Sequence, residues 1–133
     1  MFRHVDLMQR GMDAAWKRQE VISHNIANAD TPDYKAQHVE FESALRAAMS
    51  GEGGLQTSTT NERHFKIGGT PDPTRVMPAV VTDAHYTIRM DGSNVDIDHQ
   101  MVQLAETYIR YSMLQTQVTS ELSKLRMVIR EGS

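Results

Sequence analysis

Six histidines, His4, His24, His38, His64, His85 and His99, are the side chains in this chain best suited to chemistry. A neutral imidazole binds metal ions and takes up protons near neutral pH, so their spacing decides whether they form a site. None stands in an H-E-x-x-H or other compact metal arrangement. The densest polar group, Asp96, Asp98 and His99, lies where a helix should begin, and capping accounts for it. An aspartate there accepts from orphan backbone N–H groups, and its charge suits the positive pole of the helix. His24 falls near the end of a helical stretch, where a cation opposes the negative pole. His64 and His85 lie in an irregular middle, where Glu62 and Asp83 are the carboxylates open to them.

Nucleophilic catalysis is no better supported. A serine nucleophile needs a base and an orienting group in a rigid pocket, whereas the serines and threonines here crowd into flexible segments and no G-x-S-x-G occurs. Gly68-Gly69 is not followed by the Gly-Lys-Ser/Thr end of a phosphate loop. Zero cysteines removes disulfides, thiolate zinc sites and thiol nucleophiles together. The chain is expected to be no enzyme, with no catalytic residue, no metal ligand and no cofactor.

The elements that would position these side chains are more informative than the side chains themselves. Val5, Met8, Met12, Ala15, Gln19, Ile22, Ile26 and Ala29 recur at alternating spacings of three and four, a heptad stripe broken in character only by Gln19. Asp6 with Arg10 and Asp13 with Lys17 have the favourable acid-first spacing on the opposite face. Gly11 marks either a frayed first turn or a close helix contact, and Pro32 forces the stop. A second stripe, Ile97, Met101, Leu104, Tyr108, Tyr111, Gln115, Val118, Leu122, Leu125 and Ile129, keeps register without a slip. About 33 residues at this rise make a rod of roughly 50 Å, with Asp96 and Asp98 at its start and Lys124, Arg126 and Arg130 near its end.

Between the stripes, a short amphipathic stretch around Phe41 to Met49 gives way to SGEGG, TSTTN and GGTPDP. Val76 to Val81 and Tyr86 to Met90 have the character of short strands that pair with each other, with Asp91-Gly92 as a turn. The expected fold is mainly α: two long terminal helices forming an antiparallel coiled-coil hairpin, with an irregular middle containing short β segments. Its parts are 1–35, an N-terminal axial helix and turn; 36–92, the middle; and 93–133, the C-terminal axial helix, all within one structural domain. The packing positions are Val5, Met8, Met12, Ile22 and Ile26 on one helix, and Met101, Leu104, Tyr108, Val118, Leu122 and Leu125 on the other.

Composition narrows the partners. Leu, Ile, Val and Phe supply 27 of the 133 residues, a thin core that favours completion by other chains. A formal charge of −3 argues against nucleic acid as a partner. No apolar run is long enough to insert in a bilayer, and the start, MFRHVDLMQRGMDAAW, lacks the continuous apolar stretch of a cleaved signal peptide.

The most specific segment is Ser23-His24-Asn25-Ile26-Ala27-Asn28-Ala29-Asp30-Thr31-Pro32-Asp33-Tyr34-Lys35. It resembles the signature S-x-N-I-A-N-x-x-T-P-G-Y of the bacterial flagellar axial proteins, the rod, hook and hook-associated subunits. The motif residues carried over are Asn25, Ile26, Ala27, Asn28, Thr31, Pro32 and Tyr34. The departure is Asp33, where that family usually has Gly; Asp after proline suits a type I turn and tolerates a left-handed conformation better than most residues. Asp91-Gly92-Ser93-Asn94-Val95-Asp96-Ile97-Asp98, followed by Ala105-Glu106 and Arg110-Tyr111, is similar to the family's D-G-N-x-V-D-x-D entry and A-x-x-x-x-R-Y continuation. Thr60 to Phe65 adds a weaker match.

The resemblance implies a structural subunit of the proximal rod, part of the drive shaft that links the inner-membrane ring to the distal rod and hook and transmits torque. It further implies location in the basal body, across the periplasmic space, after passage through the flagellar type III export apparatus without a cleaved signal peptide. The implied partners are other copies of the chain, the rod protein FlgC, the ring–rod junction protein FliE and the inner-membrane ring protein FliF. Two other readings are another short rod subunit, similar to FlgC, and a soluble helical-hairpin adaptor or chaperone of the export pathway.

Overall fold

A computed structural model describes residues 2–50, 72–84, 90 and 92–132. The expectations placed on His64, His85, the Thr60 to Phe65 segment and the strand over Tyr86 to Arg89 lie outside these residues. Three helices and one small sheet make up the described part: α1 (Phe2–Ala27), β1 (Gln37–Glu40), α2 (Glu42–Ser50), a 3-10 turn (Pro73–Arg75), β2 (Ala79–Thr82) and α3 (Ile97–Glu131). The chain is therefore mainly helical, with the two long helices near its ends, as the stripes require.

α1 turns its expected stripe inward. Met8, Ala15 and Ile22 are buried, and Val5, Met12, Gln19 and Ile26 are half-buried. The helix stops at Ala27, where the Asn28 side chain donates to the His24 carbonyl at 2.8 Å. Ala29 thus lies in the turn beyond the helix, but is buried there with Ala36 and Val95 against Tyr34. The surface pairs differ from expectation, because Arg10 reaches Asp13 at 3.7 Å and donates to the Thr74 carbonyl at 2.9 Å, while Lys17 pairs with Glu20 at 2.8 Å. The Thr74 contact draws Arg10 away from Asp6 and ties the 3-10 turn to α1.

α3 lies alongside α1. The Asn25 side chain near the end of α1 meets Gln100 near the start of α3, and a methyl group added at Gly11 would stand 3.2 Å from Leu114. Gly11 therefore serves a close helix contact and not a frayed turn. Against α1, however, α3 presents a face rotated from the expected stripe. Leu104, Tyr111, Val118 and Leu125 are half-buried as expected, but Met101, Tyr108 and Leu122 remain 57%, 67% and 50% exposed. Buried Gln100 and Thr107, with half-buried Leu114, stand in their place. Polar residues win these positions because each has a local partner: Gln100 accepts from Asn25, and the Thr107 hydroxyl donates to the Gln103 carbonyl at 2.7 Å. Leu114 wins its position because Gly11 leaves room for it.

The strand expected from Val76 to Val81 is present as β2, and among the described residues it pairs with β1, antiparallel, with Gln37 opposite Thr82 and Glu40 opposite Ala79. The core is as thin as the composition implies. Of the buried apolar side chains among the described residues, five are alanines, and Met8, Ile22, Val39 and Phe41 are among the larger members. A core of this kind excludes little apolar surface per residue, which shifts the weight of specificity onto polar contacts.

Candidate functional site

The motif segment folds into a polar junction where the end of α1, β1 and the entry to α3 converge. Asn25 is its hub, fully buried. Its carboxamide nitrogen donates to the Gln37 carbonyl at 2.7 Å and to Gln100 Oε1 at 3.0 Å. Its carboxamide oxygen accepts from the Gln37 backbone N–H at 2.9 Å and from the Tyr34 hydroxyl at 3.3 Å. A side-chain amide thereby faces a backbone amide as a neighbouring strand would, with all four of its hydrogen-bonding positions occupied. Burial by these neighbours raises the Tyr34 hydroxyl pKa above 10.0 and keeps it a donor.

Asn94 ties the other side of the junction. Its oxygen accepts from the Ala36 N–H at 2.6 Å, its nitrogen donates to the Asp83 carbonyl at 2.8 Å, and its backbone N–H donates to the Tyr34 carbonyl at 3.4 Å. Ser93, also fully buried, donates to the Ala29 carbonyl at 3.4 Å. Lys35 donates to the Gly92 carbonyl at 2.6 Å. No buried side-chain polar atom among the described residues lacks a hydrogen bond.

The turn through Thr31, Pro32, Asp33 and Tyr34 closes with a Tyr34 N–H to Thr31 carbonyl bond of 3.3 Å. Asp33 has φ +57°, so the residue after proline is left-handed, as a type II turn demands and not as a type I turn would have it. This is the position at which glycine costs least. Gly92 at φ +85° packs directly against the Asp33 side chain, so a Cβ there would be both strained and obstructed.

A second linkage holds α2. Arg18 on α1 donates to Glu42 Oε2 at 2.7 Å and to the Val39 carbonyl at 3.3 Å, while Arg110 on α3 lies 3.6 Å from Glu42 Oε1. Burial pushes the Glu42 carboxyl pKa upward, but the Arg18 hydrogen bond, a backbone hydrogen bond and the two guanidinium charges outweigh it and hold the group below its ordinary 4.5.

Of the motif residues, Asn25, Asn28, Thr31, Pro32 and Tyr34 all build the junction or its turn. Ile26 and Ala27 close the helix. Ser93 and Asn94 belong to the entry segment that carries the resemblance, whereas Gln100, Arg18 and Glu42 stand in neither the stripes nor the motif. Gln100 had a signal in hindsight, a polar residue one position off an apolar stripe, whereas Arg18 and Glu42 are 24 residues apart and look like ordinary surface charges.

Among the described residues the histidines lie on separate elements, His4 and His24 on α1, His38 on β1 and His99 on α3. His99 follows the Asp96 cap, whose carboxylate accepts from the His99 N–H at 3.2 Å, as the capping reading requires. His38 lies 3.0 Å from Asp83, just beyond β2, and 3.6 Å from Glu40 on its own strand. Among the described residues no three His, Cys, Asp or Glu side chains are placed to hold a metal ion, and no helix is long and apolar enough to cross a membrane. What the arrangement can do is mechanical: it fixes the angle and register at which the two terminal segments leave one corner.

The family described as "Flagella basal body rod protein" matches residues 8–35, the α1 stripe together with the turn. The flagellar basal body rod protein FlgB of Proteus mirabilis is 30% identical over 128 residues, covering 93% of this chain and 91% of that protein. The FlgB of Borrelia hermsii is 34% identical over 131 residues, covering 95% of each, and that of Bacillus subtilis is 30% identical over 125 residues, covering 94% and 92%.

Proposed function

Because the chain belongs to the FlgB family of flagellar basal body rod proteins, we propose that it is a subunit of the proximal rod and carries torque from the inner-membrane ring toward the distal rod and hook. The observation that carries this reading is the outer surface of α3. Met101, Tyr108, Ile109, Met113 and Leu122 are each half or more exposed along one helix whose other side already packs on α1. A helix that is apolar on more than one side is buried in its working state, and exposed apolar surface of this extent marks a protein interface.

The antiparallel coiled-coil hairpin is part of the same proposal. Asn25 with Gln100, Gly11 with Leu114, and the proximity of His4 to Glu121 support it, since the positions on α1 fall as those on α3 rise. In the rod, Met8 and Ile22 hold the hairpin together with Val118 and Leu125, which are half-buried on the Leu114 side of α3, while Met101, Tyr108 and Leu122 meet neighbouring subunits and Leu104 lies on the border. The neighbours proposed are other copies of the chain, FlgC, FliE and FliF, reached after passage through the flagellar type III export apparatus.

Deletion of the gene, followed by complementation with the wild-type chain or with Leu122→Asp, tests the reading. The deletion strain should lack assembled rods and be non-motile. The Leu122→Asp chain should fold with wild-type helicity yet fail to restore rods. Motility and rods in the deletion strain would refute the rod assignment, and full rescue by Leu122→Asp would refute the outer face of α3 as an interface.

A further inference from the structure

Sulfur in this chain is thioether alone, nine methionines against no cysteine. A thiolate is the usual first target of an oxygen-transfer oxidant, so its absence leaves the thioethers as the readiest electron donors to such a reagent. Burial then separates them. Met8, inside the fold, is 7% exposed, and Met12 is half-buried. Met101, Met113 and Met127 are each more than half exposed along the open side of α3, in the company of Tyr108, Ile109 and Leu122.

An unbranched thioether suits an adaptable apolar contact, because its rotatable bonds and polarisable sulfur fit an irregular surface. Its lone pairs are also the vulnerable part of that surface, since Ile109 and Leu122 have no atom that a peroxide attacks. A contact face built partly from thioethers can therefore change polarity by chemistry alone, with the helix left in place.

We propose that Met101, Met113 and Met127 are sites of reversible S-oxidation on the free chain, and that their sulfoxides close the open side of α3 to docking. The co-reactant is a two-electron oxygen donor of the peroxide class. A sulfur lone pair attacks one peroxide oxygen, the O–O bond breaks and an S–O bond forms, and the second oxygen leaves as water with both protons. Sulfur gives up two electrons and the peroxide takes them. In the reverse step a dithiol becomes a disulfide and the sulfoxide oxygen leaves as water, through reductases specific for each sulfoxide epimer. A sulfoxide is a strong dipole with an acceptor oxygen, and an apolar contact offers that oxygen no donor, so docking would bury it unsatisfied. Docking in turn shields the sulfurs, which confines the reaction to the chain before it assembles. The inference rests on the reading of the open side of α3 as an interface.

Peptide mass mapping of the purified full-length chain during exposure to hydrogen peroxide tests the first half. Met101, Met113 and Met127 should each gain one oxygen about tenfold or more faster than Met8, at unchanged helicity by circular dichroism, and lose it again on treatment with both reductases and dithiothreitol. Equal rates at Met8 and at the three α3 positions, or helicity lost as those three oxidise, would overturn the proposal. Complementation of the deletion strain tests the second half, with glutamine as a polar side chain of similar length. Met101→Gln/Met113→Gln/Met127→Gln should fold with wild-type helicity and fail to restore rods. Met49→Gln/Met77→Gln, at exposed thioethers away from α3, should restore them. Failure of that second variant would also overturn the proposal, because the effect would not then belong to α3. Rods in the deletion strain itself would be the failure of the rod assignment; rods absent there but restored by the triple variant would be the failure of this inference alone.

Discussion

Asn25 concentrates more structural consequence than any other side chain of the junction. Its amide satisfies the Gln37 N–H and C=O, the Gln100 side chain and the Tyr34 hydroxyl, in a site closed to water. Truncation strands the Gln37 backbone groups, and each buried unsatisfied group costs about 1 to 3 kcal/mol. Asn25→Ala should therefore lower unfolding free energy by about 3 kcal/mol in urea titration. Asn25→Asp should be comparably harmful at neutral pH, because an acceptor would then face the Gln37 carbonyl and Gln100 Oε1. A cost below about 1 kcal/mol for both variants would show that the junction relaxes around the loss. That Asn25 matters was legible in the sequence, since it sits in the signature segment. Its partners were not, since Gln37 and Gln100 are 12 and 75 residues away and nothing local announces them.

At the scale of elements, the long helices, the short α2 and the Asp96 cap were legible because periodicity and cap chemistry are local properties. β1 was not. Four residues with one buried side chain, Val39, leave no alternation to detect, and the strand exists because β2 and α1 flank it. The rotation of α3 was hidden for a related reason. A stripe chosen by apolarity passes over Gln100 and Thr107, whose burial is licensed by hydrogen bonds that only the folded chain supplies. The Glu42 bridge gives this scale its own prediction. Its carboxyl pKa is lower folded than the ordinary 4.5, so its stabilisation is present above that value and is lost as pH falls below it toward the folded pKa. Because the group is half-exposed, the effect is small, under about 1 kcal/mol. Glu20, Asp72 and Glu121 are lowered too, by hydrogen bonds from Lys17, Thr74 and Lys124 respectively, so total acid lability is not diagnostic. The difference is diagnostic: the stability gap between wild type and Glu42→Gln should narrow from about pH 6 to about pH 3, and a gap constant with pH would remove the bridge from the account.

For the molecule as a whole, one helix has two duties. The side of α3 that holds Leu114 packs on α1, and the side that holds Leu122 is left open. Leu114→Asp should destabilise the isolated chain by about 3 kcal/mol, since it places a charge in the close contact over Gly11. Leu122→Asp should leave the melting temperature of the isolated chain nearly unchanged. Equal effects in thermal melts would mean that the two faces are not distinct. The small sheet also has two sides, and their treatment differs. One edge of β1 pairs with β2, while along the other the Gln37 amide is occupied by Asn25 and the Val39 carbonyl by Arg18, both projecting from α1. A strand whose second edge is already taken offers no template for another chain's backbone. On its β1 side the small sheet is thus closed to strand addition by the same two side chains that set the corner.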